Sequence, residues 1–543
     1  MCSHNRTSEI GVRYVAACAV ACLVCVLLGY GRSLDAFFVS DDFDIILSVA
    51  RDGPFGIWAG RGSDFLRPAA ALSMYVDHAF WGLDHRGYHA VSLLIHALCS
   101  LLVAMIAFLM TSEANTSRRR AETAALAAGL LFAALPTHDE PVIWISGRGD
   151  LLAGLFSLTA ILSSFSYLRG ARTWSLLVAL LATTFALLSK EAAASLPIMI
   201  IAYAYISGGL MSSRVGMNRR TIVVTCQITL LAVYLLTRRL ILGYFVGGYG
   251  LSVHGRFDME VLGKLFAYFP SRILAPALGV VDLQGVAFPL SLVMYAIAIA
   301  AAVALLVRCR NRIPVGVVLA SFSMTLISIV PVMNLSVVAN SSEGSRFLYL
   351  PSAMMVLTLV VVAASTLARR TIVILTLTFA LPGLMLTHHS SGHWVEAGIL
   401  ARRTVASLGE ITELDRIWLL NIPDSLNGAY VFRTGIDSAN KLFNGVDAVH
   451  RVIPILRHPV TPTGESVMSE RLARGRYTLQ PSDGAAPAPC YSQINENESL
   501  CLRFEDLEHN GLLVSIEGTA ADGIASWSSG RLRLLDTWSM ERP

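Results

Sequence analysis

A series of long apolar runs constrains the fold of this chain more than any other feature. A helix needs about 20 apolar residues to cross the hydrocarbon core of a bilayer. The chain is 54% hydrophobic and only 15% charged, whereas soluble domains carry roughly 25% charged residues. The runs lie at 12–30, 88–110, 122–136, 150–168, 173–189, 192–210, 221–243, 286–307, 314–333, 347–367 and 371–387. The sequence therefore predicts an all-α polytopic membrane protein with about eleven transmembrane helices.

Basic residues occur in every second connection between these runs. They include Arg13, Arg118, Arg119, Arg120, Arg169, Arg172, Arg214, Arg219, Arg220, Arg308, Arg310, Arg312, Arg369 and Arg370. Because basic loops stay in the cytoplasm, the N-terminus is predicted to be cytoplasmic. An odd number of spans then places the C-terminal region outside. We expect a multi-pass protein of the cytoplasmic (inner) membrane.

The predicted outer segments divide the chain into two domains. Residues 1–387 form the transmembrane domain, whose first outer loop, 31–87, contains a candidate interfacial helix at 68–83. A second outer loop spans 244–285. Residues 388–543 are mixed and polar, with strand-like runs at 417–420, 452–456 and 512–516. We predict a small extracytoplasmic α/β domain there, in which Cys490 and Cys501 are candidates for a disulfide.

Two adjacent carboxylates, Asp41 and Asp42, follow the first run. Two like charges at a membrane surface favour a raised pKa for one of them. Such a group suits a general base for an acceptor hydroxyl, or a metal ligand. The alternative interpretation is an ordinary helix start, where Asp is favoured as a cap.

Other ionisable residues cluster in the predicted outer loops. They are Arg67, His138, Glu140, Arg148, Asp150, Lys190, Glu191, Arg238, Arg239 and Arg346. The basic members are candidates for binding a phosphate, and Asp41, His138 and Glu140 are candidate ligands for a divalent metal such as Mg²⁺ or Mn²⁺. The alternatives are salt bridges within the loops, including a Lys190–Glu191 pair, and anchoring to lipid headgroups.

Two classes of function are disfavoured. The net charge of +4 gives no electrostatic case for nucleic acid. The chain has no Gly-rich phosphate-binding loop, which argues against an ATP-driven pump or an enzyme that uses nucleotide sugars.

Several short motifs occur together in one order. They are Asp41-Asp42; Phe65-Leu66-Arg67-Pro68; Gly87-Tyr88-His89; Pro136-Thr137-His138-Asp139-Glu140; Ser146-Gly147-Arg148-Gly149-Asp150; Ser189-Lys190-Glu191; and Arg346-Phe347-Leu348-Tyr349-Leu350-Pro351. Over roughly residues 35–355 the chain resembles GT-C glycosyltransferases. It is most similar to the transmembrane-and-tetratricopeptide O-mannosyltransferase family and its bacterial relatives.

The resemblance implies a helical bundle with a catalytic cleft on its outer face. It implies inverting transfer of a sugar, with mannose as a candidate, from a polyprenyl-phosphate donor. Asp42, or its neighbour Asp41, matches the family's catalytic acidic pair. Cations at the leaving phosphate would then come from Arg346, Arg238 or Arg239, with Lys190 and Arg67 as further candidates. Residues 388–543 show no tetratricopeptide period, so a protein, a glycan or a lipid remains open as the acceptor.

Three other functions remain open. One is a surface-polysaccharide ligase or polymerase that uses a pyrophosphate-linked oligosaccharide. The second is a transporter of lipid-linked sugars, which the apolar centres of the runs disfavour. The third is a non-catalytic scaffold, against which the clustered charges count.

Overall fold

The structure is a computed structural model of the chain. It describes residues 11–56, 65–113, 116–207, 214–245, 315–332, 343–411, 414–445, 451–460, 467–473, 476–481, 488–489, 502–506, 512–516, 522–528 and 531–537. The predicted helix at 286–307, nearly all of the loop at 244–285, and Cys490 and Cys501 lie outside these residues.

The transmembrane region is built from helices joined by short turns. In chain order they are α1 (Val12–Tyr30), α2 (Asp41–Gly56), α3 (Pro68–Trp81), α4 (His85–Glu113), α5 (Arg118–Ala133), α6 (Asp139–Ile143), α7 (Arg148–Leu168), α8 (Trp174–Ser189), α9 (Leu196–Ile206), α10 (Arg214–Leu242), α11 (Val315–Ile329), α12 (Tyr349–Thr366) and α13 (Arg369–Gly409). Ten of the eleven predicted runs therefore coincide with described helices.

The length and composition of these helices fit a bilayer. Within the described residues, seven helices are long and apolar enough to cross a membrane, and Trp174–Ser189 and Glu191–Ile206 are shorter apolar helices. Several present a continuous apolar face outward; on α10, for example, Ile228, Val233 and Leu236 are all exposed. Such a face needs lipid around it. The prediction of a multi-pass membrane protein is confirmed.

Arginines collect at one end of the bundle, where they bind the carbonyls that end other helices. Arg169 donates to Leu109 O at 2.6 Å near the end of α4, and Arg219 donates to Tyr167 O at 2.7 Å at the end of α7. Positive charge is favourable at a helix C-terminus. The acidic pair Asp41–Asp42 follows α1 at the opposite end, which we call the site end.

The last helix of the bundle continues past its predicted limit. The run was predicted to end at 387, but α13 is a single helix to Gly409 that passes through Pro382. Its second half keeps a buried face containing Trp394 and Ala401. That face packs against the C-terminal domain, where Trp527 Nε1 donates to Thr404 Oγ1 at 3.1 Å. The change to polar composition at 388 marks a helix leaving its apolar surroundings, not the end of the helix.

The C-terminal domain contains two sheets and one helix. The strands are β1 (Arg416–Leu426), β2 (Ala429–Tyr430), β3 (Arg451–Val460), β4 (Val467–Ala473), β5 (Arg476–Pro481), β6 (Ala488–Pro489), β7 (Leu502–Asp506), β8 (Leu512–Ile516), β9 (Asp522–Ser528) and β10 (Arg531–Thr537), and the helix α14 is Ile436–Phe443. The first sheet has the order β10-β9-β1-β3-β6, with β2 beside β1, and the second is β4-β5-β8-β7.

The first sheet supplies the α/β character that the sequence predicts. Strand β1 pairs in parallel with both β3 and β9. A parallel pair needs a crossover connection, and α14 lies in the connection between β1 and β3. All four strands of the second sheet pair antiparallel.

Candidate functional site

Asp42 is a deeply buried acid at the site end. It lies in the first turn of α2 and is 1% exposed. Its Oδ1 accepts hydrogen bonds from Ser146 N at 2.8 Å and Ser146 Oγ at 2.5 Å, and its Oδ2 accepts one from Val39 N at 3.1 Å. Burial raises the pKa of Asp42 to about 7, although these hydrogen bonds oppose the rise. Loss of water, more than the neighbouring Asp41, is therefore the main cause.

Asp41 is the more accessible member of the pair. It is half-buried, and the hydrogen bonds described for it both reach Oδ1. Ser40 Oγ donates at 3.3 Å, and the hydroxyl of Thr434 donates from the C-terminal domain. Ser40 has a left-handed backbone, with φ 51°, which few residues other than glycine adopt. This local strain turns the chain sharply where it enters α2.

Glu140 forms a buried ion pair near this acidic pair. It is 0% exposed and pairs with the guanidinium of Arg346. The backbone N–H of Arg346 donates to Glu140 Oε2 at 2.9 Å, and the hydroxyl of Tyr430 donates to Oε1 at 2.7 Å. Burial raises the pKa of Glu140, and the Arg346 charge opposes this.

His138 lies in an aromatic pocket. Its Nε2 is 2.7 Å from Ser352 Oγ, and its ring centroid is 4.5 Å from that of Phe132 and 4.7 Å from that of Tyr349. Burial lowers the pKa of His138 well below its ordinary value. The imidazole is therefore neutral, and it serves to pack the aromatic rings around it.

The predicted metal ligands Asp41, His138 and Glu140 are not brought together. Each has its own partners: Thr434, Ser352 and Arg346, respectively. Within the ranges that the structure covers, no group of three or more His, Cys, Asp or Glu side chains is placed to hold a metal ion. These three side chains therefore face different neighbours in the described structure, and the ligand set stays a prediction.

Lys190 and Glu191 do not pair with each other, contrary to one of the alternatives above. Lys190 has an extended backbone (φ −159°, ψ 140°) directly after α8, so successive side chains point to opposite sides. Lys190 pairs with Asp150, and both side chains are buried. Glu191 forms a two-pronged pair with Arg67, and these side chains are 21% and 26% exposed.

Arg148 is buried beneath the site. Its guanidinium donates to Asp77 Oδ2 at 2.8 Å, Tyr88 O at 2.7 Å, and Ser73 Oγ and Ser92 Oγ, both at 3.1 Å. These bonds join the start of α7 to α3 and α4. With 0% of its surface exposed, Arg148 holds the helices together and does not face a ligand.

Arg238 and Arg239 have different surroundings. Arg238 is buried, with Nη1 3.5 Å from Tyr234 Oη and its guanidinium 5.5 Å from the ring centroid of Tyr244. Arg239 is exposed and donates to Gly243 O, at the end of its own helix. The two arginines therefore do not form one anion site.

A series of contacts joins the acidic pair to the cations. Trp144 is close in sequence to Ser146, which binds Asp42, and its ring centroid lies 5.2 Å from the Arg346 guanidinium. Phe347 lies between Arg346 (4.7 Å) and Lys190 (5.5 Å). The site is therefore continuous from Asp42 through Arg346 to Lys190 and its neighbours.

Several residues at this site are not marked by any sequence motif. Tyr430 and Thr434 come from the C-terminal domain, about 290 and 393 residues from their carboxylate partners. Arg433 forms ion pairs with Glu343 and Asp424 beside them. Because no local pattern marks these residues, only the fold reveals their role.

The fold and this site define a multi-pass membrane protein with a partly buried acidic pair and paired cations at one end of its helix bundle. The chain is similar to human protein O-mannosyl-transferase TMTC4, with 33% identity over 153 residues, 24% of this chain and 21% of that protein. It is also similar to Drosophila melanogaster Tmtc1 (28% over 195 residues; 32% and 21%) and human TMTC2 (35% over 112 residues; 20% and 12%). The predicted resemblance to this group is thus confirmed as a local similarity.

These similarities cover only part of each protein. The matched segments span about a fifth or less of the relatives' own length. No family model matches the chain. Among solved structures, ArnT from Cupriavidus metallidurans aligns over 80% of this chain and 84% of its own, at 13% identity, with a TM-score of 0.42 in the apo state and 0.32 when bound to undecaprenyl phosphate.

Proposed function

We propose that the protein is a membrane glycosyltransferase that moves a sugar from a polyprenyl-phosphate carrier to an acceptor hydroxyl on the outer face of the cytoplasmic membrane. The observation that carries this proposal is the acidic pair Asp41–Asp42 at one end of an apolar bundle. Ser146 binds Asp42, and nearby Trp144 contacts the guanidinium of Arg346. A prenyl tail needs hydrocarbon while its phosphate needs a polar site, and this arrangement offers both. The local similarity to O-mannosyltransferases supports the same reaction class, with mannose as the first candidate sugar.

Asp41 suits the role of general base better than Asp42. Both oxygens of Asp42 already accept hydrogen bonds from the protein, and it is 1% exposed. Asp41 is half-buried, and both hydrogen bonds described for it reach Oδ1, not Oδ2. A base must reach the proton that it removes. Asp42 then fixes the loop by tying α2 to Ser146.

The transfer is a single displacement. Asp41 takes the proton of the acceptor hydroxyl as its oxygen bonds to the anomeric carbon. The bond from that carbon to the phosphate oxygen breaks, and its electron pair leaves with the polyprenyl phosphate. Attack from the opposite side inverts the anomeric centre. Negative charge grows on the leaving phosphate, so cations held near it accelerate the step.

The candidate phosphate ligands differ in how far their side chains are exposed. The side chains of Arg346 and Arg67 are 17% and 26% exposed, whereas that of Lys190 is 5% exposed. A guanidinium has five N–H donors and can hold a carboxylate and a phosphate together. We therefore assign the phosphate to Arg346 and Arg67, and give Lys190 a supporting role through Asp150.

The test uses purified protein in detergent with a panel of polyprenyl-phosphate monosaccharides that includes mannose. A Ser/Thr peptide, a glycan and a lipid extract serve as acceptors, and release of free polyprenyl phosphate is measured. We expect Asp41→Asn to lose about 10²–10⁴-fold in rate. The control, Asp52→Asn, changes an exposed acid on the same helix and should keep full activity.

Other outcomes would redirect the proposal. If Asp41→Asn keeps full activity and a folded Asp42→Asn loses it, the general base is Asp42. No release from any monosaccharide donor, but turnover of a pyrophosphate-linked oligosaccharide, would identify a ligase or polymerase instead.

A further inference from the structure

One short segment of the C-terminal domain, residues 430–435, lies directly on the acidic pair. Val431 O accepts a hydrogen bond from Ser40 N at 2.8 Å. The ring of Phe432 stacks on that of Phe43, with centroids 5.8 Å apart and planes 18° apart. At Gly435 (φ +84°), a Cβ would lie only 2.4 Å from Ser40 O. Backbone, ring and glycine contacts therefore fix this segment against the loop that carries Asp41.

Two hydroxyl groups of the segment reach the carboxylates of the site. Thr434 donates to Asp41 Oδ1. Tyr430 donates to Glu140 Oε1 at 2.7 Å and lies 3.3 Å from Arg346 Nη1. Hydrogen bonds to a charged acceptor are stronger and more directional than those between neutral groups.

We infer that the C-terminal domain completes the active site, with Thr434 as a positioning residue for Asp41 and Tyr430 as a positioning residue for Glu140 and Arg346. The inference rests on the proposed function. By holding Oδ1, Thr434 fixes the rotation of the Asp41 carboxylate and leaves Oδ2 for the acceptor proton. Tyr430 likewise fixes Glu140, whose own pair with Arg346 aims the guanidinium at the phosphate.

Burial favours a fixed wall over a lid that opens for each substrate. Val431 and Phe432 are 0% exposed, and Tyr430 is 2% exposed. Lifting the segment would expose these side chains and Phe43 to water, which is unfavourable for each of them. Functional groups work best when rigid neighbours hold their geometry, and this segment meets that requirement.

The test compares Thr434→Val with Thr434→Ser in the full-length protein. The donor is polyprenyl-phosphate mannose and the acceptor a Ser/Thr peptide. We expect Thr434→Val to lower kcat about ten- to a hundredfold, because small misplacements are costly, with donor KM nearly unchanged. Thr434→Ser keeps the hydroxyl and should recover most of the rate.

Matched variants separate positioning from general damage. Thr378→Val makes the same chemical change on α13, where the hydroxyl only bonds its own helix at Ile374 O, and should behave as wild type. Tyr430→Phe removes only the hydroxyl and should raise donor KM several-fold.

The outcomes distinguish this inference from the proposed function. If the wild type transfers mannose and Thr434→Val keeps its kcat, the positioning role is wrong and the function stands. Equal losses in Thr434→Val and Thr434→Ser also refute it, since the hydroxyl would then be irrelevant. A wild type that uses no polyprenyl-phosphate sugar overturns both.

Discussion

Replacing Asp42 by Asn should remove a pH-dependent cost of folding. Burial raises the pKa of this carboxyl from 3.8 to about 7. A difference of one in pKa corresponds to about 1.4 kcal/mol, so above pH 7 the ionised group costs the folded state roughly 4 kcal/mol. As the pH rises from 3.8 to 7, the unfolded chain releases this proton first and the folded protein retains it. Stability therefore falls across that window and levels off above it.

The Asn side chain cannot ionise, so the stability of this variant does not decrease over that pH range for this reason. Its amide NH₂ cannot accept the hydrogen bond that Val39 N now donates to Asp42 Oδ2, which costs about 1–2 kcal/mol at every pH. Between pH 5 and pH 8, the free energy of unfolding of Asp42→Asn should thus rise by roughly 3 kcal/mol relative to wild type.

The assay is the thermal midpoint of both proteins in one detergent, at one scan rate, because membrane proteins often unfold irreversibly. Asp52→Asn is the control. Its pKa is lowered by the hydrogen bond from Arg51, so it is ionised in both states from pH 5 to 8 and its offset from wild type should stay constant. If the midpoints of Asp42→Asn and wild type keep one offset at pH 5 and pH 8, Asp42 does not hold a proton in the fold and the reasoning fails.

Two further substitutions test the packing around the site by the same thermal assay. Arg148→Met leaves the carboxylate of Asp77 buried without its guanidinium partner and should destabilise by about 3–5 kcal/mol; a double variant with Asp77→Leu should recover most of this, and no recovery would argue against the pair. Gly435→Ala combines left-handed strain of about 1–2 kcal/mol with the close approach to Ser40 O, so it should lose both stability and transfer activity. Gly445→Ala has similar strain (φ +74°) but nothing within 4 Å of the added Cβ, so an equal loss in both variants would deny the contact a role.

The sequence predicts where the helices lie and which loops meet, because both depend on local composition. Apolar runs set the spans, and alternation of basic loops puts residues 41, 140, 190 and 346 at one end of the bundle. The sequence does not predict how these charged side chains pair with one another. Lys190 and Glu191 are neighbours, yet one extended backbone residue after α8 sends them to Asp150 and Arg67.

The contribution of the C-terminal domain could not be predicted for a different reason. The contact between Thr434 and Asp41 joins residues 393 positions apart, and neither lies in a pattern that points to the other. Contacts of this kind follow from the docking of whole elements, such as α14 on α2. The sequence pattern also does not predict that Asp42 is buried, since an acidic pair at the start of a helix normally faces water.

The path of α13 joins the two predicted domains into one unit. The helix crosses the predicted boundary at 387/388 without a break and carries Trp394 between the bundle and Tyr430, with ring centroids 5.7 Å apart. Burying the Phe432 side chain alone is worth about 2–3 kcal/mol. The segment 430–435 adds hydrogen bonds to the carboxylates of Asp41 and Glu140. A C-terminal domain that only recruited an acceptor would need none of these contacts. Since its docking and the geometry of Asp41 depend on the same residues, we expect loss of the domain to abolish transfer for every acceptor, including a free alcohol that needs no recognition.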